Sequence, residues 1–285
     1  MVGMPLSRRT LLRSAAAAAF GAPAFARKSA LQIGVTDWNL KQAGKLEAVS
    51  MAKTLGFDGV QVSLGRKPVD DKLPLDDATV QAQYIDEAHK AGIVIDGSCL
   101  DILHVNYLKN DKLGQKWVAD GIRATKGLQT RVMLLPFFGK GALQTPQEME
   151  YVGDILRELG PEAEKYGIIL GLENTNSAED NARILDRARS KAVLVYYDVG
   201  NSTHNGFDVI KEIRWLGPKR ICQFHLKDNP NYLGEGKIDF PTILHTIKTM
   251  DYQGYANLET DCPSKSVEAD MKRNLSYIRR LLQET

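Results

Sequence analysis

Four side chains of the kinds that bind divalent metals recur at regular intervals in the second half of the sequence. They are Glu173, Asp198, His225 and Glu259, and each closes an apolar run and precedes a polar loop. Successive members are 25, 27 and 34 residues apart, about one strand and one helix each. Gathered in one place, three carboxylates and an imidazole would be poorly solvated unless a divalent cation held them. Oxygen-rich ligation with one imidazole favours Mn²⁺, with Mg²⁺, Co²⁺ or Zn²⁺ as alternatives.

The apolar runs are eight in number, and they predict eight β-strands. Their composition is near-continuously apolar rather than alternating, as expected of parallel strands that helices cover on the outside. The predicted strands are Leu31–Thr36, Gly59–Ser63, Ile93–Ser98, Arg131–Pro136, Ile168–Glu173, Val193–Asp198, Ile221–His225 and Ala256–Glu259.

Amphipathic segments with helical periodicity separate and follow these runs. The predicted helices are Gly44–Leu55, Asp77–Ala91, Asp111–Leu128, Pro146–Tyr166, Ala178–Ser190, Phe207–Leu216, Phe240–Met250 and Lys265–Leu282. Gly56, Gly92 and Gly167 directly follow three of these helices, at the position where a helix commonly ends in a left-handed residue. Eight strand–helix units in order predict an α/β fold, a single-domain (β/α)₈ TIM barrel, rather than a doubly wound sheet. In such barrels the chemistry lies at the C-terminal ends of the strands, where the four side chains fall.

The first 26 residues have the pattern of an export signal. A twin-arginine motif at Arg8 and Arg9 precedes a short apolar stretch, Ala15–Ala22, and an Ala-x-Ala cleavage site that ends at Ala26. The apolar stretch is too short to span a bilayer. We therefore expect residues 1–26 to be a twin-arginine signal peptide and residues 27–285 to form the barrel. We expect the protein to be periplasmic or exported by the twin-arginine route, without membrane association after cleavage.

Charge and cysteine content restrict the function classes further. The whole chain carries 37 Lys and Arg against 35 Asp and Glu, and removal of three signal arginines changes the net charge from +2 to −1. With no basic stripe, this argues against nucleic acid as a partner. Cys99, Cys222 and Cys262 are too few to form a disulfide framework, so we expect packed thiols, with a Cys99–Cys262 bridge as the alternative.

Several short motifs carry a resemblance that extends over Leu31–Leu282. They are Gly-Phe-Asp-Gly-Val-Gln at 56–61, Leu-Glu-Asn at 172–174, Asp-Val-Gly-Asn at 198–201, Phe-His-Leu-Lys-Asp at 224–228, Gly-Glu-Gly-Lys-Ile-Asp-Phe at 234–240 and Leu-Glu-Thr at 258–260. With these motifs the chain resembles the xylose isomerase-like TIM barrels. The resemblance implies that Glu173, Asp198, His225 and Glu259 bind one divalent metal, and that Glu173 and Glu259 are the catalytic acid/base pair.

The resemblance implies a sugar isomerase or epimerase that acts on a keto-sugar or related polyol through an enediolate. A lyase or dehydratase that acts on a 3-keto-glycoside or inosose with the same metal is the alternative. A sugar-binding barrel without turnover and a DNA-repair endonuclease are further alternatives. Asn201 argues against the endonuclease and against a simple ketose 3-epimerase, since relatives of both kinds carry a histidine there. The loop after His225 also lacks the Asp-x-His pair of the endonuclease.

A second set of residues follows the predicted strands and could contact substrate, which we expect to be a small carbohydrate without phosphate. Trp38 could stack on a sugar face. Lys227 is two residues beyond His225, so strand alternation points it to the same side. The predicted substrate-binding residues are Trp38, His104, Asn174, Asn201, His204 and Lys227, with Phe137 and Asn176 as further candidates at the mouth. The resemblance also implies a homo-oligomer.

Overall fold

A computed structural model describes residues 31–284, and the predicted signal peptide lies outside the described residues. Eight parallel strands form a closed barrel in which each strand pairs with its neighbours in chain order, and β1 pairs with β8. The strands are β1 Leu31–Thr36, β2 Gly59–Ser63, β3 Val94–Cys99, β4 Val132–Pro136, β5 Ile169–Glu173, β6 Val193–Asp198, β7 Ile221–Leu226 and β8 Gly254–Leu258. The predicted TIM barrel is confirmed.

Helices fill the connections and cover the outside of the barrel. They are α1 Glu47–Leu55, α2 Ala78–Ala91, α3 Lys112–Gly127, α4 Pro146–Tyr166, α5 Ala178–Ala188, α6 Val199–His204, α7 Val209–Leu216, α8 Phe240–Thr249 and α9 Val267–Glu284. Gly56, Gly92 and Gly167 cap α1, α2 and α4 with positive φ, as predicted. Within residues 31–284, no helix has the length and apolar character needed to cross a membrane.

Two differences from the prediction bear on the site. The short helix α6 is not among the eight predicted helices, and Asp198 caps it. Strand β8 ends at Leu258, so Glu259 is the first residue beyond the strand rather than its last. The Glu259 N–H still donates to the Leu226 carbonyl at 3.1 Å, so the backbone continues along β7 and holds Glu259 at the mouth.

The interior of the barrel contains a polar layer below the strand ends. It consists of Gln61, Asp96, Tyr196, Gln223 and Asn257, all buried. Glycine makes the room for part of it, because a Cβ at position 34 would lie 2.1 Å from Asp96 Oδ2 and 1.9 Å from Asn257 Oδ1. A barrel interior is usually filled by branched apolar side chains, so this buried polar layer departs from the usual TIM-barrel interior.

The three cysteines are all free thiols, in agreement with the prediction of packed thiols. Cys99 is buried at the end of β3, and Cys262 is partly buried in the loop after β8. The alternative of a Cys99–Cys262 bridge is therefore wrong for this structure.

Candidate metal centre and active site

The four predicted ligands converge at the C-terminal mouth of the barrel. Glu173 ends β5, Asp198 ends β6, His225 lies in β7 and Glu259 follows β8. Each offers one ligand atom, and these atoms all lie within 4.8 Å of one another. From His225 Nδ1, the nearest carboxylate oxygens of Glu173, Glu259 and Asp198 are 2.9, 3.5 and 3.8 Å away. Four consecutive strands thus bring their terminal donors to one point.

The imidazole of His225 is held in one orientation by Gln61. His225 Nε2 lies 3.0 Å from Gln61 Oε1, which also accepts hydrogen bonds from Tyr196 Oη at 3.1 Å and Asn257 Nδ2 at 3.4 Å. Because Gln61 Nε2 donates to the Ser98 carbonyl, Oε1 is the acceptor and Nε2 of His225 carries a proton. Nδ1 therefore faces the three carboxylates, as a metal-binding nitrogen would.

Asp198 is positioned by the helix that it caps. Its Oδ1 accepts a hydrogen bond of 2.8 Å from the Asn201 N–H in the first turn of α6. This fixes the carboxylate so that Oδ2 faces the cluster, and Asp198 is 3 % exposed. Burial raises the pKa of Asp198 to about 7, although the Lys227 charge acts to lower it. Because burial disfavours its charged form, the Asp198 carboxylate needs a positive charge beside it to stay ionised.

The ammonium of Lys227 lies beside two of the carboxylates. Nζ forms a 2.7 Å ion pair with Asp198 Oδ2 and donates a 2.6 Å hydrogen bond to Glu259 Oε2. Burial opposes the charged amine, but Glu259 and Asp198 outweigh it and raise the pKa of Lys227. Gly200 leaves space for this side chain, because a Cβ there would lie 2.4 Å from Lys227 Cγ.

The pKa values of Glu259 and His225 shift in opposite directions, because each side chain favours the charged form of the other. Burial acts to raise the pKa of Glu259, but His225, Lys227 and the Trp38 indole lower it to about 2. Burial acts to lower the pKa of His225, but Glu259 and Glu173 raise it to about 8. Glu259 is thus a carboxylate over the working pH range, as a metal ligand or a general base requires.

The donor set fits a divalent cation in both chemistry and charge. Three carboxylates and one imidazole nitrogen are ligands that Mn²⁺, Co²⁺ and Zn²⁺ accept. The three carboxylates and the Lys227 ammonium sum to −2 when Nδ1 of His225 serves as a ligand, and a divalent cation would neutralise them. The described residues therefore contain a candidate metal centre at the site that the sequence predicted.

A chamber of about 310 Å³ opens above the four ligands. Of the predicted substrate-binding residues, Trp38, His104, Asn201 and Lys227 line it, together with Glu173 and Glu259. Trp38 Nε1 donates a 3.0 Å hydrogen bond to Glu259 Oε1, so the indole orients this carboxylate as well as forming a wall. His104 is stacked on Phe138 with ring centroids 6.3 Å apart, and burial and Arg66 lower its pKa.

The structure does not bring the remaining candidates into this chamber. Asn174 exchanges hydrogen bonds of 2.8 and 3.1 Å with Asn181 and lies outside the chamber lining, so its carboxamide holds the loop after β5. Asn176 donates to the Leu143 carbonyl at 2.8 Å, and Phe137 is buried in the core. His204 is exposed and lines a neighbouring cavity instead.

Sequence reasoning missed several residues of the chamber. Phe138, one residue beyond the predicted Phe137, lines the chamber. Arg66 and Asp101 come from the loops after β2 and β3, and Cys99 and Pro136 end β3 and β4. Position at a strand end could have indicated Cys99 and Pro136. Nothing in the local pattern distinguishes Arg66 from the lysine beside it.

The fold and the cluster define a TIM barrel with a candidate metal centre at its C-terminal mouth. The family model "Xylose isomerase-like TIM barrel" matches residues 49–281, and the chain belongs to that family. A 2-epi-5-epi-valiolone 7-phosphate 2-epimerase of Actinoplanes sp. is 24% identical over 200 residues, which cover 70% of this chain and 73% of that protein.

Solved structures with the same fold include two epimerases. The apo form of a 3-keto-D-glucoside 4-epimerase from E. coli aligns with a TM-score of 0.72 at 18% identity, covering 88% of this chain and 99% of that chain. A D-psicose 3-epimerase from Clostridium cellulolyticum, solved with D-tagatose, aligns with a TM-score of 0.74 at 16% identity and the same coverage of 88% and 99%. At these identities the likeness shows the fold.

Proposed function

We propose that this protein is a divalent-metal-dependent epimerase or isomerase that acts on a keto-sugar. The observation that carries the proposal is the convergence of Glu173, Asp198, His225 and Glu259 below a chamber that two of them, Glu173 and Glu259, also line. The names of the similar proteins support it, because all three are epimerases of sugars or of a sugar-like cyclitol phosphate. Mn²⁺ is the ion that we expect.

The four ligands would hold the cation, and Gln61 would keep Nδ1 of His225 directed at it. The bound ion would supply positive charge that polarises a substrate carbonyl and stabilises the enediolate that forms on loss of the neighbouring proton. The ligand atoms lie within 4.8 Å of one another, so one ion suffices.

Glu173 and Glu259 are the proposed acid/base pair. They come from β5 and from the end of β8, three strands apart around the barrel, so they enter the chamber from different sides. In epimerisation, one carboxylate removes the proton α to the carbonyl and the other returns a proton to the opposite face of the same carbon. In isomerisation, one carboxylate alone moves the proton to the neighbouring carbon.

A lyase is the second candidate, and the position of Lys227 favours it. The ammonium is 2.6 Å from Glu259 and stands where the chamber meets the neighbouring cavity. A substituent β to the carbonyl could then leave as the C–H bond breaks, with a carbon–carbon double bond formed and the leaving oxygen protonated by Lys227. The product distinguishes the two reactions, since the lyase releases the substituent and the epimerase retains it.

The test is α-proton exchange in D₂O, followed by NMR, on a panel of ketoses, inososes and 3-keto-glycosides. The protein comprising residues 27–285 should bind about one divalent ion per chain, measured by elemental analysis. Glu259→Gln should lower exchange by at least about 10²-fold, the usual worth of a general base. Glu268→Gln is the matched control, because this glutamate on α9 is exposed and pairs with Lys272.

Two results would contradict the proposal. Wild-type exchange in Glu259→Gln would remove this residue from the chemistry. Binding of metal and sugar without exchange on any panel member would favour the non-catalytic barrel.

Export remains a separate proposal, which we base on the sequence alone. Replacing Arg8 and Arg9 together with lysine should retain the protein in the cytoplasm, as cell fractionation would show. Equal periplasmic yield from both forms would contradict the twin-arginine route.

A further inference from the structure

A second cavity adjoins the catalytic chamber on the side of β6 and β7. Its volume is about 640 Å³, roughly twice the 310 Å³ of the chamber. Asn201 and Lys227 line both spaces and therefore form the boundary between them. The two spaces therefore adjoin at these two side chains.

The boundary contains an unused hydrogen-bond donor. The Nδ2 atom of Asn201 is buried, yet it has no hydrogen-bond partner within residues 31–284. Its backbone is fixed from both directions, since the N–H donates to Asp198 Oδ1 and the carbonyl accepts from Asn205 Nδ2. A buried amide donor without a partner is costly, and a ligand that crosses the boundary could satisfy it.

The outer wall of this cavity is a loop that the protein holds rigidly. The buried carboxylate of Asp228 accepts the Gly236 N–H at 2.9 Å, which ties the two ends of the loop together. Tyr232 Oη donates to Asp270, and Asn229 Oδ1 accepts the Asp261 N–H. The cavity is therefore preformed, which lowers the entropy cost of binding there.

The lining favours a neutral polyhydroxylated group over an anion. Asn229 Oδ1 accepts the Asp261 N–H, and within residues 31–284 the Asn229 NH₂ group has no partner. Thr203 and Asn231 add further polar groups to a lining that also contains Ile238 and Pro230. Lys237 is exposed, and the charge of Lys227 is already paired with Asp198 and Glu259. Phosphate sites instead gather backbone N–H groups or several cations around one point.

We propose that the substrate is a glycoside of two parts, whose keto-sugar ring occupies the chamber and whose second, neutral sugar-sized group occupies the cavity lined by Asn201, His204, Asn229 and Lys237. This inference rests on the proposed function, because it assigns the reacting ring to the metal centre. A free ketose would leave the larger of the two spaces unused.

The two-part substrate restricts where its carbonyl can be. A glycosidic bond engages the anomeric carbon, so the reactive carbonyl must be a ketone at another ring carbon with a C–H beside it. Such a ketone arises by two-electron oxidation of a ring hydroxyl. The reaction that supplies this substrate is therefore an alcohol oxidation carried out on an intact glycoside.

The first test compares substrates that share one keto ring. Free 3-keto-glucose, methyl 3-keto-glucoside, a 3-keto-glucosyl disaccharide and 3-keto-glucose 6-phosphate are assayed for α-proton exchange with the metal-loaded protein. We expect kcat/KM for the disaccharide to exceed that for the methyl glycoside by at least about tenfold. The reason is that the second sugar makes polar or apolar contacts in the cavity that a methyl group cannot make.

Variants then test whether the second group of the substrate occupies the cavity. Asn231→Trp and Thr203→Trp fill it from the loop after β7 and from α6, and each should reduce the ratio of kcat/KM between disaccharide and methyl glycoside to near one. Asn231 is exposed in a loop, so this variant is not expected to disturb folding. Tyr151→Trp is the matched control, because Tyr151 is 42% exposed on α4, outside both cavities, and should retain the wild-type ratio.

The outcomes separate this inference from the proposed function. Equal kcat/KM for all neutral members, with no effect of either tryptophan, would overturn the glycoside and leave the epimerase intact. Exchange on the phosphate alone would overturn it in favour of an anion site. Absence of exchange on every member here would overturn the glycoside, and absence of exchange on the ketoses and inososes of the wider panel as well, with metal bound, would overturn both.

Discussion

Replacement of Gln61 tests whether the buried polar layer sets the metal-binding form of His225. Gln61 Oε1 accepts from His225 Nε2 at 3.0 Å and from Tyr196 Oη at 3.1 Å, and neither donor reaches solvent in this layer. Methionine has a similar length and no acceptor of comparable strength. In Gln61→Met the imidazole loses the partner that keeps its proton on Nε2.

The expected loss of metal affinity is 10- to 100-fold. This is the usual effect of removing the hydrogen-bond partner of a metal-binding histidine. It corresponds to about 1.4–2.7 kcal/mol of binding free energy, at 1.4 kcal/mol for each factor of ten. Folding stability should also fall, by about 1–3 kcal/mol for each buried donor left without an acceptor.

Gln223→Met is the matched control for this experiment. Gln223 is a buried glutamine of the same layer, but its Nε2 donates to Asp96 Oδ1 at 3.2 Å and it makes no hydrogen bond to His225. It should lose folding stability without a comparable loss of metal affinity. Mn²⁺ titration of chelator-treated protein, followed by calorimetry or by the electron paramagnetic resonance of free Mn²⁺, measures the affinity, and denaturant unfolding measures the stability.

Two results would refute the reasoning. Mn²⁺ affinity of folded Gln61→Met within threefold of wild type would show that the tautomer needs no support from Gln61. Equal losses of affinity in Gln61→Met and Gln223→Met would show that the layer acts by packing alone.

Three further predictions concern Lys227 and the polar layer. Lys227→Met should bind Mn²⁺ roughly tenfold more tightly in the same titration, because the ammonium beside the carboxylates repels a cation. Gly200→Ala should shift affinity in the same direction, since its Cβ would displace Lys227 Cγ, and it should add little in the double variant. Asp96→Asn should be more stable than wild type at pH 8. Burial raises the pKa of Asp96 from 3.8 to about 7, so this carboxyl stays neutral in the folded protein up to about pH 7, and the stability present below pH 3.8 is lost as pH rises to 7. Asparagine stays neutral, so unfolding free energies of the two proteins should diverge by about 1.4 kcal/mol for each pH unit in this window. Parallel curves from pH 4 to 8 would contradict it.

The barrel and the ligand set were predictable because each depends on a local pattern. An apolar run that ends in Glu173 or His225 identifies both the strand and the point where it meets its neighbours. Once the closed order of strands is assumed, the barrel brings the four ligands together without further information. Small errors at strand boundaries did not matter, since Glu259 keeps its backbone bond to β7 even beyond β8.

The residues that support and surround the ligands were not predictable in this way. Gln61 contacts His225 across 164 residues of sequence, and no local pattern signals that pairing. A shift of one residue reverses the side to which a side chain points, which is why Phe138 and not Phe137 lines the chamber. Asn174 follows Glu173 directly, but its carboxamide is occupied by Asn181 on α5.

The charge of the centre connects the metal with the kind of substrate. Three carboxylates and the Lys227 ammonium leave −2, which one divalent cation balances, so the floor of the chamber becomes neutral on metal binding. A neutral keto-glycoside preserves that balance until the proton is removed, and the negative charge that then develops is the one the cation stabilises.

A phosphorylated sugar would add about two further negative charges. Lys227 lines both spaces, but its charge is already paired with Asp198 and Glu259. Arg66 and Lys237 are both exposed and line different cavities, so they do not form one site around a phosphate. The same arrangement that calls for a metal therefore argues for a substrate without charge.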